Sequence, residues 1–154
     1  MDSLPKSARI GPGTLAIFDD DPDCSDFEKS AKFLVKFGCK EALVLGASGL
    51  RSDHFLTALS VAVKFTSKLK LTFYGPKDET VLLTKGTAFR SRRGETFSLI
   101  PLDNPSWVSV SGAKYPIKRQ PLFAGSRGQS NEALGGLVTV AVHSGKVWLV
   151  RNRS

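Results

Sequence analysis

The sequence predicts an α/β fold in which a parallel α/β unit comes first and an all-β sandwich or barrel follows. Up to about residue 75, segments with strand and helix periods alternate along the chain. Beyond that point only short strand-like runs occur, and turn residues separate them. The 154 residues suffice for one ordinary domain or two small ones.

The first half begins with a predicted strand and a predicted helix. Residues 14–18 (TLAIF) form a short apolar run that ends at a group of acidic residues, which is typical of a buried strand opening into a loop. Ser25 lies three places before Glu28, and this capping box predicts a helix from Asp26. Gly38 is placed to end that helix.

The pattern then repeats with a second strand, a second helix and a third strand. Residues 41–45 (EALVL) predict a buried strand, Asp53 starts the next helix, and residues 69–74 (LKLTFY) predict a third strand. The apolar stripe expected on the second helix consists of Leu56, Leu59 and Val63. Alternating strands and helices indicate a parallel α/β unit.

The second half predicts a small β fold. Residues 75–78 (GPKD) form a predicted linker, which separates a domain at residues 1–75 from one at residues 80–154. We expect strands near residues 80–84, 96–101, 106–111, 114–119, 137–142 and 146–151. Many short strands joined by glycine-bearing turns are typical of a sandwich or barrel.

Composition and charge narrow the possible functions. No apolar run reaches the roughly 20 residues that span a bilayer, and the first residues lack the apolar core of a secretory signal, so we expect a cytoplasmic protein without a membrane partner. Cys24 and Cys39 fit no metal spacing. The net charge of +8 is compatible with a solvated basic surface or with a nucleic-acid-binding module. The densest basic stretch, residues 90–93, lacks interleaved aromatic residues, so we favour a polar loop and no nucleic-acid partner.

Acidic residues and glycines gather where predicted strands end and helices begin. In open α/β sheets, ligands bind in the crevice beyond those strand ends. Carboxylates at residues 19–23, Asp26 and Asp53 could hold Mg²⁺, a cation that prefers oxygen ligands. Residues 46–49, with a glycine at each end, followed by Arg51, could approach a polyphosphate. From the pattern alone, ordinary turns and helix caps explain these residues as well.

Five short motifs occur in order along most of the chain. They are residues 23–29 (DCSDFEK), 46–56 (GASGLRSDHFL), 98–102 (SLIPL), 112–117 (GAKYPI) and 130–132 (SNE). The set resembles the thiamine pyrophosphokinase family, whose motifs include Asp-x-Thr-Asp-Phe-Glu-Lys, Gly-Ala-x-Gly-Gly-Arg-x-Asp-His-x-Leu and Gly-Leu-Lys-Tyr-Pro-Leu. Several motifs in the family's order are far more specific than any one of them.

The resemblance implies a fold, a reaction and partners. The fold would be a partial parallel Rossmann-like α/β catalytic domain followed by a jelly-roll-like, all-β sandwich that binds thiamine. The reaction would transfer pyrophosphate from ATP to the hydroxyl of thiamine, giving thiamine diphosphate and AMP, with Mg²⁺ as cofactor. The partners would be thiamine, ATP and a second copy of the chain in a homodimer.

The resemblance also assigns roles to residues of this sequence. The catalytic residues implied are Asp26, Arg51 and Asp53. Those implied for ATP are Ser25, Gly46, Gly49 and Arg51. Those implied for thiamine are Ser130 and Asn131. The metal ligands implied are Asp2, Asp23 and Asp26.

Three departures from the family pattern motivate an alternative function. Leu50 replaces the second glycine of the Gly-Gly-Arg motif, and Ala58 replaces a usual asparagine. Residues 1–3 correspond to the second half of the family's Gly-Asp-x-Asp-Ser motif, so we expect a chain that is truncated at its N-terminus. The alternative is a non-catalytic thiamine- or nucleotide-binding remnant of the family.

Overall fold

The computed structural model describes residues 11–14, 20–49 and 51–153. Within these residues the chain forms two helices, α1 (Asp26–Lys36) and α2 (Ser52–Phe65). The strands are β1 (Glu41–Leu45), β2 (Lys70–Tyr74), β3 (Asp78–Leu83), β4 (Thr87–Ser91), β5 (Thr96–Pro101), β6 (Ser106–Ser111), β7 (Ile117–Leu122), β8 (Asn131–Glu132), β9 (Gly136–Ser144) and β10 (Val147–Asn152). The predicted strand at residues 14–18 lies, apart from Thr14, outside the described residues.

The strands form two sheets. One has six strands in the order β1-β2-β3-β10-β5-β8, and the other has four in the order β4-β9-β6-β7. β1 and β2 are parallel, whereas β2 pairs antiparallel with β3 and β3 antiparallel with β10. The described part of the chain is therefore mostly β with a mixed sheet, and the Rossmann-like assignment stays a prediction.

The six-stranded sheet is the middle layer of three. Along β3, Val81 and Leu83 join the core between the two sheets, while Leu82 packs with the helices on the opposite face. Along β10, Leu149 joins the core between the two sheets, while Trp148 packs with the helices. Because side chains alternate between the faces of a strand, a strand buried on both faces has a continuous apolar run, as β3 and β10 do.

The core between the two sheets is formed by small and branched apolar side chains. From the six-stranded sheet it takes Val81, Leu83, Phe97, Leu99, Val147 and Leu149, and from the four-stranded sheet Val108, Val110, Leu122, Val138 and Val140. Ala113 and Ala133 close it beside the loops. The second half therefore forms a two-layer sandwich, as the sequence predicts.

An aromatic cluster joins the helices to the middle sheet. The ring of Phe73, on β2, is 2% exposed. Its centroid lies 5.8 Å from that of Phe27 on α1, 6.1 Å from that of Phe55 on α2 and 6.4 Å from that of Trp148 on β10. Phe73 therefore connects both helices with the strand at the centre of the sheet.

Helix α1 begins and ends where the sequence predicts. Ser25 is the N-cap, and its hydroxyl accepts a hydrogen bond from the Glu28 amide at 3.2 Å. Gly38 follows the helix with φ of +78°, a conformation that favours glycine. The Glu28 carboxylate accepts a hydrogen bond from Lys64 Nζ at 2.5 Å, so this residue links α1 to the last turn of α2.

The buried face of α2 agrees with the predicted stripe only in part: Leu59 and Val63 pack, partly buried, against the helix-side core, whereas Leu56 does not. Leu56 is 64% exposed, and the buried residues are Ala58, Val61 and Ala62. At 100° a residue, Leu56 lies about 200° around the helix from Ala58 and so faces away from the sheet. The small Ala58 and Ala62 let the helix approach the sheet closely, which a pattern of large apolar residues does not reveal.

Strand β1 is buried less completely than predicted. Leu43 and Leu45 are 69% and 77% exposed, while Ala42 and Val44 pack toward the helices. The four-stranded sheet contributes to the core over β3, β10 and β5 and supplies no residue against β1. Among the described residues, one face of β1 is therefore open.

The predicted linker is wrong, because residues 75–77 form a hairpin turn. β3 starts at Asp78 and pairs with β2, with Tyr74 opposite Glu79, and the Gly75 amide bonds to the Asp78 carbonyl at 3.0 Å. The segments on either side of this turn share one sheet, while the division into domains 1–75 and 80–154 stays a prediction.

Other strand boundaries also differ from the sequence-based expectations. The strand expected at residues 114–119 is β7, which begins at residue 117, and β4 and β8 were not expected. No helix in the described part of the chain is long and apolar enough to cross a membrane.

We expect Phe73→Ala to lower the free energy of unfolding by about 3–5 kcal/mol, because it empties a site that both helices and Trp148 contact. The matched control is Phe123→Ala, since the Phe123 side chain is 55% exposed and its loss should cost less than about 1 kcal/mol. Denaturant titration of the three proteins measures both values, and equal losses would contradict the central position of Phe73.

The link between α1 and α2 should depend on pH. The hydrogen bond from Lys64 holds the pKa of Glu28 below its ordinary value of 4.5. A carboxylate with a lowered folded-state pKa stabilises the protein above its unfolded pKa, and the effect is lost as pH falls through the folded value. The difference in unfolding free energy between the native chain and Lys64→Met should therefore be full at neutral pH and shrink in acid.

Denaturation at a series of pH values measures this difference. Lys68→Met is the control, because Lys68 is exposed and its loss should give a difference that does not change in the same acidic range. A Lys64→Met difference that stays constant with pH would show that Glu28 draws no stability from the pair.

Candidate functional site

A cleft of about 260 Å³ opens beside the sandwich core, between two loops that carry sequence motifs. Its walls are Tyr115, Pro116 and Ile117 on one side and Arg127, Gly128, Gln129 and Asn131 on the other, over Phe97 and Leu99. Phe97 and Leu99 belong to β5. The cleft therefore combines an apolar floor and a largely apolar first wall with a polar second wall, which is the usual composition of a small-molecule site.

Asn131 fixes the shape of this cleft. Its Oδ1 accepts hydrogen bonds from the amides of Tyr115 at 3.1 Å and Glu132 at 2.9 Å, and its Nδ2 donates to the Tyr115 carbonyl at 2.8 Å. The residue is 8% exposed. These bonds satisfy both polar backbone groups of Tyr115, so Asn131 holds the two walls at a set distance.

Ser130 lies next to Asn131 in an uncommon backbone conformation. Its φ is +54°, although it is not a glycine, and its amide donates to Ser98 Oγ at 3.0 Å. Non-glycine residues in this region store strain and occur often at ligand sites. The Ser130 side chain is exposed next to the cleft.

The loop that forms the second wall is held close to β5. The Leu99 amide donates to the Gly128 carbonyl at 2.8 Å, and a Cβ atom at Gly128 would collide with the Leu99 carbonyl oxygen. Arg127 donates hydrogen bonds to the Gln120 side chain and, at 3.5 Å, to the Pro121 carbonyl. Gly128 therefore permits the close approach, and Arg127 ties the loop to β7.

Charged residues flank the first wall. Lys114 Nζ lies 3.2 Å from Glu132 Oε2 and 5.7 Å from the centroid of the Tyr115 ring. The hydrogen bond to Glu132 raises the pKa of Lys114 above its ordinary value. The ammonium group therefore stays charged at the edge of the cleft.

A second group of predicted residues lies at the start of α2. Arg51 and Asp53 form a two-pronged ion pair, with Nε to Oδ1 at 3.2 Å and Nη2 to Oδ2 at 2.5 Å. Their side chains are 66% and 64% exposed. The hydrogen bond from Arg51 lowers the pKa of Asp53, and Asp53 in turn raises that of Arg51. Both groups therefore stay ionised, and the charged guanidinium of Arg51 is the group that suits a phosphate.

The starts of the two helices lie over the same strand. Phe27 follows Asp26 at the start of α1, and Phe55 lies two residues beyond Asp53 in α2. Both rings contact Phe73, near the end of β2. The two helices therefore share Phe73 as a contact, and neither Asp26 nor Asp53 lines the cleft described above.

The glycine-bearing turn after β1 contributes a hydroxyl that the sequence did not single out. Gly46 has φ of +74°, and space around Gly49 is open. Between them, Ser48 Oγ is buried and has no hydrogen-bond partner among the described residues. A Cβ atom at Gly75 would lie 2.9 Å from it, so Ser48 sits where the turns after β1 and β2 meet.

The predicted metal ligands Asp23 and Asp26 belong to no group of three possible ligands in the part of the chain that the structure describes. Ser25 Oγ serves as the helix cap, and the Asp23 amide donates to Asp21 Oδ1 at 3.0 Å. Residues 11–14, 20–49 and 51–153 contain no group of three His, Cys, Asp or Glu side chains that could hold a metal. Asp2, like Leu50, lies outside the described residues. The carboxylates of Asp23 and Asp26 have the oxygen chemistry that Mg²⁺ prefers, so these residues fit the ion in kind.

The sequence did not assign a role to several residues of the cleft. The motif at residues 112–117 marked the first wall, yet Tyr115 and Pro116 received no role because the resemblance assigned thiamine only to Ser130 and Asn131. Arg127 and Ser48 also received no role. Ser48 lies within the motif at residues 46–56 and Arg127 just before the motif at residues 130–132, but no motif spacing singles out either residue.

One family model matches part of the second half of the chain. Residues 84–147 match the family model described as "Thiamin pyrophosphokinase, vitamin B1 binding domain". These residues include both walls of the cleft. Among curated proteins, none matches the chain by sequence.

Solved structures share the fold. The thiamine pyrophosphokinase from Bacillus subtilis superposes with a TM-score of 0.79 at 17% identity, over 86% of this chain and 65% of that one. The enzyme from Geobacillus thermodenitrificans gives 0.76 at 19% identity, over 86% and 63%. The enzyme from Candida albicans gives 0.62 at 20% identity, over 74% and 44%. Together with the match at residues 84–147, these likenesses confirm the resemblance to the thiamine pyrophosphokinase family. The chain spans less than two thirds of the length of the first two structures.

We expect Asn131→Ala to destabilise the protein by about 1–3 kcal/mol, because it leaves buried amides without partners. The neighbouring Ser130→Ala is the control, since the exposed Ser130 side chain should contribute less than about 0.5 kcal/mol. Thermal or denaturant unfolding measures both. Equal stability of Asn131→Ala and the native chain would show that the walls of the cleft do not depend on this side chain.

Proposed function

We propose that this chain, whose residues 84–147 match the vitamin B1 binding domain of thiamin pyrophosphokinases, supplies the thiamine site of such an enzyme. The reaction would be the attack of the thiamine hydroxyl on the β-phosphorus of ATP, with AMP as the leaving group. The observation that carries the proposal is the cleft within the matched domain, bordered by Tyr115 and Asn131.

The cleft suits a small ring-bearing ligand with few polar groups. The Tyr115 side chain is 60% exposed, and its ring offers a surface against which a ring of thiamine can pack. Asn131 Nδ2 uses one hydrogen for the Tyr115 carbonyl, and its second hydrogen has no partner among the described residues. We propose that this hydrogen and the Ser130 hydroxyl contact thiamine, while Phe97 and Leu99 form the floor.

The phosphate side of the reaction would use the start of α2. Arg51 offers a planar fork that suits phosphate oxygens, and in the free chain Asp53 occupies that fork. Binding of ATP would exchange the Asp53 carboxylate for phosphate oxygens. Asp53 would then be released to orient the attacking hydroxyl. Gly46 and Gly49 would let the backbone approach the phosphates, with Ser25 beside them.

Asp23 and Asp26, together with Asp2, would hold Mg²⁺. When bound, the ion supplies neutralisation of phosphate charge. We also propose that α1, β1, α2 and β2 form part of a Rossmann-like catalytic domain and that the enzyme works as a homodimer. Support for these points comes from the sequence motifs and from the shared fold.

A binding protein without turnover is the second candidate. The Arg51–Asp53 pair, closed at 2.5 Å, favours it, because a guanidinium held by an internal carboxylate is less available to ATP. In that case thiamine would bind in the cleft, and no pyrophosphate would be transferred.

Calorimetry and an AMP-release assay on the same preparation separate the two candidates. We expect saturable thiamine binding that Tyr115→Ala weakens, and AMP formation that needs thiamine, ATP and Mg²⁺. Asp53→Asn should lower turnover by about a hundredfold or more while thiamine affinity is retained, because Asp53 acts on the reacting hydroxyl. Asp103→Asn is the control for loss of an acidic side chain elsewhere.

Thiamine binding without AMP release would establish the binding protein and rule out the enzyme. A folded chain that binds no thiamine would overturn both candidates. Full activity in Asp53→Asn would remove this residue from the reaction and leave the thiamine cleft unaffected.

A further inference from the structure

A basic groove lies at the end of the sandwich, between the turn after β4 and the end of β10. It consists of two adjoining hollows of about 490 and 520 Å³, which share Arg92, Glu95, Thr96, Asn152 and Arg153. We call it the terminal groove. It includes the basic stretch at residues 90–93, for which the proposed function has no role.

Positive charge predominates in and around the terminal groove. Its cationic side chains are Lys77, Arg90, Arg92, Arg93, Arg151 and Arg153. The nearby carboxylates are already engaged. Glu79 pairs with Arg151 at 3.3 Å, and Glu95 accepts hydrogen bonds from Ser91 Oγ at 2.6 Å and the Arg92 amide at 2.9 Å. These bonds lower the pKa of Glu95, so its carboxylate stays ionised. The cationic side chains outnumber the carboxylates even when Glu95 is counted as negative.

Two arginines of the terminal groove are fixed by the fold. Arg153 donates to the carbonyls of Gly75 at 3.1 Å and Asp78 at 3.2 Å, and its guanidinium lies 4.6 Å from the centroid of the Tyr74 ring. Arg151 lies 4.2 Å from the centroid of the Phe89 ring, over the end of the sandwich core. Their positive charges are therefore held in place before any ligand arrives.

The other arginines project from a tight turn. The Glu95 amide donates to the Arg92 carbonyl at 3.2 Å, and Gly94 has φ of +89°, which a turn of this kind requires at its third position. Both Arg92 and Arg93 are exposed. Among the described residues, their guanidinium groups have neither an ion pair nor a hydrogen bond. They are placed to close over an anion beside the fixed arginines.

From this arrangement we infer that the terminal groove binds a small polyphosphate anion. Guanidinium groups from Arg92, Arg93 and Arg153 would donate to its oxygens. Thr96 and Asn152, which bond to each other at 2.7 Å, supply further polar groups at the base. Arg51 is not among the residues that line the terminal groove, although Arg153 bonds to Gly75, which lies beside Ser48 in the turn after β1.

The aromatic residues argue for a phosphate chain rather than single-stranded nucleic acid. Nucleic-acid sites of that kind offer exposed rings on which bases stack. Here the Phe89 ring carries the Arg151 guanidinium, and Phe97 is 1% exposed. The terminal groove therefore offers charge without a stacking surface.

Inorganic tripolyphosphate is the probe, and two-dimensional amide NMR of the 154-residue chain is the readout. We expect saturable shifts of the Gly94, Thr96 and Asn152 amides, also in Arg51→Ala, which removes the proposed ATP contact. The double variant Arg92→Ala/Arg93→Ala should bind about tenfold more weakly or worse, because charge-assisted hydrogen bonds are lost. The control Lys68→Ala/Lys118→Ala removes the same charge from exposed positions elsewhere and should bind as the native chain does.

Three results would overturn the inference. Equal weakening in both double variants would mean a general effect of net charge. Shifts confined to residues 46–53, and lost in Arg51→Ala, would place the anion at the proposed ATP site and leave the proposed function intact. Salt-dependent binding of a single-stranded oligonucleotide at the terminal groove, without binding of tripolyphosphate, would show a nucleic-acid surface instead.

Discussion

The burial of one sheet on both of its faces is the constraint on which the rest of the structure depends. β3 and β10 lie at its centre, and their side chains alternate between the sandwich core and the helices. Phe73 and Trp148 contact each other on the helix face, so the α/β segment cannot separate from the sandwich without exposing both rings. The parallel pair β1–β2 and the antiparallel strands β3, β10, β5 and β8 therefore share one sheet.

This shared sheet also determines where chemistry can occur. The helix starts and the turns after β1 and β2 lie on the α/β side, where Arg51 and Asp53 meet. The cleft bounded by Tyr115 and Asn131 lies on the sandwich side and is lined by loops of the matched domain. Phosphate chemistry and thiamine binding would therefore begin on separate surfaces of one chain. The proposed function requires these surfaces to meet, and the proposed homodimer would bring them together.

The sequence predicted the parts whose signals are local. The cap at Ser25, the end of α1 at Gly38 and the alternation of Leu71 and Phe73 each follow from a few neighbouring residues, and the structure has all of them. What failed depends on distant partners. Leu56 matched a helical stripe but faces away from the sheet, and residues 75–77 turn between strands because β3 pairs with β2. In the candidate site, the motifs marked the segments that form the cleft. The hydrogen bonds by which Asn131 holds Tyr115 could not be predicted, because the two residues meet only in the folded chain.

The Arg51–Asp53 pair shows how one contact can serve both the free and the bound chain. Exposed ion pairs contribute little to stability, so the fold gains little by keeping these groups together. Each group favours the ionised form of the other, and the pair directs the guanidinium fork toward Asp53. In the proposed reaction a phosphate, which carries more charge than a carboxylate and matches the same fork, would replace Asp53, whereas in the proposed binding protein it would not. The exchange would free the Asp53 carboxylate when the thiamine hydroxyl needs a hydrogen-bond acceptor. Binding of ATP would in this way be coupled to activation of the attacking hydroxyl.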